Sequence, residues 1–76
     1  MTRKEIFEKI ERMLGIEKEI LLKRYESGNL DYENYKELCH KKVQEYGEWK
    51  EELMLANDDE INDKLKFIIE MDLEKF

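Results

Sequence analysis

The sequence contains no proline, one cysteine and three glycines, and its basic side chains are outnumbered by acidic ones, 14 to 20. Without proline the chain lacks the strongest helix breaker. The lone Cys39 excludes an intramolecular disulfide, and with His40 as the only histidine too few soft ligands remain for a zinc site of the Cys₄ or Cys₂His₂ type. Nucleophilic catalysis is equally short of parts, since Ser27 and Thr2 are the only aliphatic hydroxyls. Cys39 and His40 are neighbours in a helical stretch, so their side chains diverge by about 100° and cannot work as a nucleophile and base within one chain. The expectation is therefore no enzyme, no metal and no cofactor. The longest apolar run, Leu53 to Ala56, falls far short of the roughly 20 residues that span a bilayer. The opening Met1-Thr2-Arg3-Lys4-Glu5 does not read as a signal peptide. A soluble cytoplasmic protein is expected, with no membrane partner.

What is present favours helix throughout. Charged residues make up 45% of the chain and hydrophobic ones 41%, with Leu, Glu, Lys, Ile and Met prominent. The only breaks lie at Ser27-Gly28-Asn29 and Asn57-Asp58-Asp59. The predicted fold is all-α and a single domain over residues 1–76, with helices at about 3–26, 32–56 and 59–75. Thr2 and Glu5 are spaced as a capping box, Gly28 can end the first helix, and Asp31 can cap the second, with Leu30 and Tyr35 spaced as a hydrophobic staple. Asn57 and Glu60 form a candidate capping pair for the third.

Apolar spacing supports this division. Phe7, Ile10, Leu14, Leu21 and Tyr25 line one stripe of the first helix, interrupted by Glu17. Tyr32, Tyr35, Cys39, Lys42, Tyr46, Trp49, Leu53 and Ala56 fall at alternating three- and four-residue steps, a heptad seam with one polar member, Lys42. The third helix offers Ile61, Leu65, Ile68, Ile69, Leu73 and Phe76. A short turn between two helices of about 36 Å forces an antiparallel hairpin, and so small a chain barely offsets its conformational entropy alone. A homodimer of coiled-coil or bundle type is expected, with Tyr35, Cys39, Tyr46, Trp49 and Leu53 as its seam.

Charge is unevenly spread. Residues 1–26 carry a net +1, residues 27–56 a net −3 and residues 57–76 a net −4. Glu45, Glu48, Glu51, Glu52, Asp58, Asp59, Glu60 and Asp63 face a single base, Lys50, in the same stretch. Acids beside a helix N-terminus complement its dipole, which accounts for Asp58 to Glu60. Glu48 and Glu52 are instead like charges four residues apart, and Glu51 and Glu52 sit where the dipole favours cations. Acids at such steps recur about every 5 Å, a spacing comparable to that of successive phosphates on a nucleic-acid strand. The eight acids are thus the candidate partner-binding surface, suited to a basic protein. A net charge of −6 opposes direct nucleic-acid binding.

The stretch from Glu48 through Trp49, Lys50, Glu51 and Glu52 to Leu53, followed by Asn57, Asp58, Asp59 and Glu60 in a small acidic helical chain, resembles phage host-takeover proteins, in particular the phage-encoded DNA mimics that inhibit the bacterial nucleoid protein HU. That resemblance implies an acidic dimer occupying the DNA-binding surface of a basic host protein in the bacterial cytoplasm or nucleoid. The alternative is a coiled-coil adaptor that binds its partner through an apolar groove, with its charge only a solubilising coat.

Overall fold

The computed structural model describes residues 1–75 and is all-α. Helix α1 (Arg3–Glu26) and helix α2 (Tyr32–Leu55) form an antiparallel hairpin. A C-terminal segment folds back over one end as two single turns, α3 (Ile61–Lys64) and α4 (Lys66–Ile69), and a 3₁₀ turn, Leu73–Lys75. The molecule measures 45 × 23 × 15 Å. Among the described residues no helix is long and apolar enough to cross a membrane.

Local chemistry fixes the hairpin's ends. At the start of α1 the Glu5 amide donates to the Thr2 hydroxyl over 3.2 Å, and the Thr2 amide donates to the Glu5 carboxylate over 3.1 Å, completing the capping box. The Thr2 backbone and hydroxyl hold the Glu5 carboxyl below its ordinary pKa. The α1 exit is a Schellman turn. Gly28 takes φ +83, its amide donates to the Tyr25 carbonyl, and the Asn29 amide reaches back to that of Arg24. Asp31 then caps α2 by accepting from the Asn34 amide over 2.8 Å.

The two polar residues that interrupt the apolar stripes meet each other. Lys42 lies 3.9 Å from Glu17 across the hairpin and 3.8 Å from Glu45 on its own helix. Their pairing tolerates charge between the helices and favours the register that joins them. The aromatic tip follows the same register, with Tyr25 stacked 4.9 Å from Tyr35 and 6.0 Å from Tyr32.

The third helix departs from expectation. Instead of one rod over 59–75, the chain makes two turns separated at Leu65 (φ −109, ψ 23) and a final 3₁₀ turn, and neither α3 nor α4 has a side-chain cap. A short uncapped helix is weak alone, so tertiary burial decides its path. Ile61, Leu65 and Ile68 enter the core, and Ile69, Met71 and Leu73 pack around it. A straight rod cannot wrap all six against the hairpin's end. Phe76, assigned to the same stripe, lies outside the described residues.

The heptad seam also has a different partner from the one expected. Leu53 is fully buried and Tyr46 is 2% exposed within one chain, in a cluster with Ile6, Ile10, Met13 and Leu14 of α1. Trp49 packs against that cluster and meets Tyr46 and Phe67 edge-on, at 4.6 and 5.4 Å between ring centroids. The α1 stripe and the C-terminal segment together bury this half of the seam, and no second chain is needed for it.

Candidate functional site

The eight acids predicted to meet a partner divide into two groups. Three have cations of their own: Asp58 pairs with Arg3 at 2.7 Å, Glu60 with Lys64 at 3.0 Å and Glu45 with Lys42 at 3.8 Å. Lys64, together with hydrogen bonds from Asn57, holds the Glu60 carboxyl below its usual pKa. Among the described residues the other five, Glu48, Glu51, Glu52, Asp59 and Asp63, make no ion pair, and all five are exposed.

Helical geometry places the α2 members of this group together. At about 100° per residue, Glu48, Glu51 and Glu52 fall within one arc of about 100°, turned away from the arc holding Tyr46, Trp49 and Leu53. Asp59 and Asp63 continue the charge beyond the α2 C-terminus, in the turn leading into α3 and in α3 itself. The three α2 carboxylates form an acidic edge on that helix.

Arg3 explains how the acidic end of α2 is stabilised. The last turn of α2 holds no basic residue, so its free carbonyls and dipole lack the cation that a helix end prefers. Arg3 supplies one from the other helix. Its guanidinium donates to the Leu53 carbonyl, to the Ala56 carbonyl at 2.8 Å and to the Asp58 carboxylate at 2.7 Å. The sequence places Arg3 some 50 residues from these acceptors, so only the hairpin register reveals its role. Lys50, the sole base within the acidic stretch, is drawn inward to Glu11 and lies 5.4 Å over the Phe7 ring.

The remaining candidates have structural settings. Tyr35 and Cys39 are half-buried near the tip, and burial followed by the neighbouring Cys39 thiol raises the Tyr35 pKa. Tyr46 is pushed up to about 12 by burial first, and then by the charges of Glu17 and Glu45. Among the described residues no cluster of three or more His, Cys, Asp and Glu side chains could hold a metal ion. Comparison of the chain with protein families, curated proteins and solved structures finds no match.

Proposed function

We propose that the chain is a non-enzymatic binding protein whose acidic edge docks on a basic, nucleic-acid-binding surface of a partner protein and so competes with the nucleic acid. The observation that carries this reading is the concentration of exposed carboxylates between positions 48 and 63, where Glu48, Glu51, Glu52, Asp59 and Asp63 make no ion pair among the described residues. Side chains fixed on a helix present their charge with little further ordering, and contact with a basic groove releases counterions as DNA does. The resemblance to phage DNA mimics makes a basic bacterial nucleoid protein of the HU type the partner to test first.

The test is titration of purified HU with the chain at two salt concentrations, with and without competing duplex DNA. Five phosphate-like contacts predict an affinity loss of roughly 10²- to 10³-fold between 50 and 200 mM salt. Reversing Glu48, Glu52 and Asp59 to Lys should remove binding while far-UV circular dichroism stays unchanged. Binding that ignores both salt and the reversals would instead move the site to the apolar groove that Phe7 and Met54 form beside Leu53.

A further inference from the structure

The two long helices end in different ways. At the exit of α1, Gly28 takes φ +83, a left-handed conformation that no right-handed helix contains. The exit of α2 has nothing of the kind. No glycine or proline lies between Gly47 and Phe76, and the chain leaves the helix at Ala56, with φ −75 and ψ 147. Alanine is the best of the helix formers. Its φ here is already close to the helical value, so at Ala56 a rotation about ψ alone separates the extended conformation from a helical one.

Helical bonding stops with the Ala56 amide on the Glu52 carbonyl, at 3.0 Å, and resumes with the Ile61 amide on the Asn57 carbonyl, at 3.1 Å. Joining α2 to α3 therefore requires only that the amides of Asn57, Asp58, Asp59 and Glu60 reach the carbonyls of Leu53, Met54, Leu55 and Ala56. Arg3 competes for the first and last of these carbonyls. Its guanidinium donates to the Leu53 carbonyl and, at 2.8 Å, to that of Ala56, and it grips Asp58 inside the gap at 2.7 Å. A residue of α1 thus keeps α2 and α3 apart.

Beyond the break lies a compact anchor. Ile61, Leu65 and Ile68 are 4%, 0% and 0% exposed and pack into one cluster with Ile6, Ile10 and Met13 of α1 and Leu53 of α2. Their four- and three-residue steps are those by which a separate amphipathic helix docks in an apolar groove. Neither α3 nor α4 has a side-chain cap, so the segment depends on that docking for its order. A single chain that opened at Ala56 would bare both the anchor and the groove to water. Two chains that exchange segments bare neither, and each groove receives the segment already shaped to fit it.

We infer that residues 56–60 are a hinge latched by Arg3, through which the chain forms an exchanged dimer. In it α2 runs on into α3 as one helix, and Ile61, Leu65 and Ile68 fill the base of a second copy. The closed chain keeps the Arg3 bonds and avoids the entropy lost on association. The dimer gains the bridging helical bonds, and a hinge this short invites exchange. Dilution and the latch favour the monomer; high concentration or loss of the latch favours the dimer. Glu48, Glu51 and Glu52 lie on α2 in either form, so the proposal does not rest on the acidic edge binding anything.

Refolding the full chain from denaturant at about millimolar concentration, followed by sedimentation, tests it. The wild-type chain should stay at 9.4 kDa at micromolar concentration, and Arg3→Ala should form a species of twice that mass about tenfold or more tightly than wild type. Asn57→Pro should abolish the dimer and keep the closed fold, losing only hydrogen bonds to Glu60. Proline holds the residue before it in the extended region that Ala56 already occupies, and it cannot sit inside a continuous helix. Adding Asn57→Pro to Arg3→Ala should return a folded monomer, which separates hinge opening from unfolding. If Arg3→Ala does not fold, Asn57→Ala favours the joined helix with the latch intact and should also strengthen the dimer. In dimers assembled from isotope-labelled and unlabelled chains, the Trp49 ring should show a nuclear Overhauser contact to Phe67 of the partner subunit, a pair that lies 5.4 Å apart in the closed chain. A chain that stays monomeric at millimolar concentration as wild type, Arg3→Ala and Asn57→Ala overturns the proposal. A dimer that survives Asn57→Pro, or in which Trp49 meets only the Phe67 of its own chain, overturns it too.

Discussion

The two ends of the hairpin are built from similar helix but held by different means. Ten residues form the core cluster, and all of them lie at the base, where the C-terminal segment adds a third layer. At the tip Leu21 is the only buried apolar residue, and Ile16, Leu38, Cys39 and the tyrosines are half-buried or exposed. Charge divides along the same line. Residues 16–45 carry six bases and seven acids, whereas the rest of the chain carries eight bases and thirteen acids. The base can bear this excess because its core supplies stability that the unpaired carboxylates reduce only slightly. The near-neutral tip has only Leu21 fully inside and carries no such excess.

The largest effect that would sharpen this contrast is a cavity. Leu53→Ala removes a fully buried side chain at the base and should cost about 2–5 kcal/mol. Val43→Ala, on a 45% exposed side chain toward the tip, should cost under about 0.5 kcal/mol in the monomer. Chemical denaturation at low protein concentration measures both. Comparable losses would mean that the tip contributes as much to folding as the base. Arg3→Ala comes next. It removes charge-assisted bonds to the Leu53 and Ala56 carbonyls and the Asp58 ion pair, and should cost about 2–3 kcal/mol. Asp58→Ala, which loses only an exposed partner, should cost under about 1 kcal/mol. If the two variants were equally destabilised, Arg3 would matter as an ion pair and not as the end cap of α2.

Much of this was legible in the sequence, and the limits have physical causes. The capping box at Thr2 and Glu5, the glycine exit at Gly28 and the Asp31 cap depend on neighbours within a few residues, so local chemistry decided them. Both long helices follow from apolar periodicity in the same way, and the 32–56 boundary differs from the observed Tyr32–Leu55 by one residue. The third helix did not follow. Ile61, Leu65 and Ile68 have helical spacing, but their path is set by the end of a hairpin that they must cover. The heptad pattern of Tyr46, Trp49 and Leu53 showed that this stripe is buried without showing against what, because an α1 stripe and a second chain satisfy the same periodicity. The acidic stretch was visible as composition. Its division into paired and unpaired carboxylates depends on Arg3, Lys42 and Lys64 reaching particular acids, and for Arg3 that is a tertiary fact.

The smallest effect tests the base through a proton. Burial pushes the Tyr46 hydroxyl to about 12, above its ordinary value of 10, with the charges of Glu17 and Glu45 adding to the shift. A pKa higher in the folded chain than in the unfolded one means that the folded state holds the proton more tightly, so stability falls with pH wherever the unfolded tyrosine has ionised first. The contribution is therefore whole below about pH 10 and is lost as pH rises through the folded value. Thermal melts across this range should show the midpoint falling in the wild-type chain, and Tyr46→Phe, which keeps the ring and removes the titrating hydroxyl, should flatten the fall. Tyr32, 53% exposed at the tip, serves as the control, because Tyr32→Phe should leave the alkaline slope unchanged. Equal flattening by both substitutions would mean that the alkaline loss reflects general charge repulsion in an already acidic chain and not the dry surroundings of one tyrosine at the base.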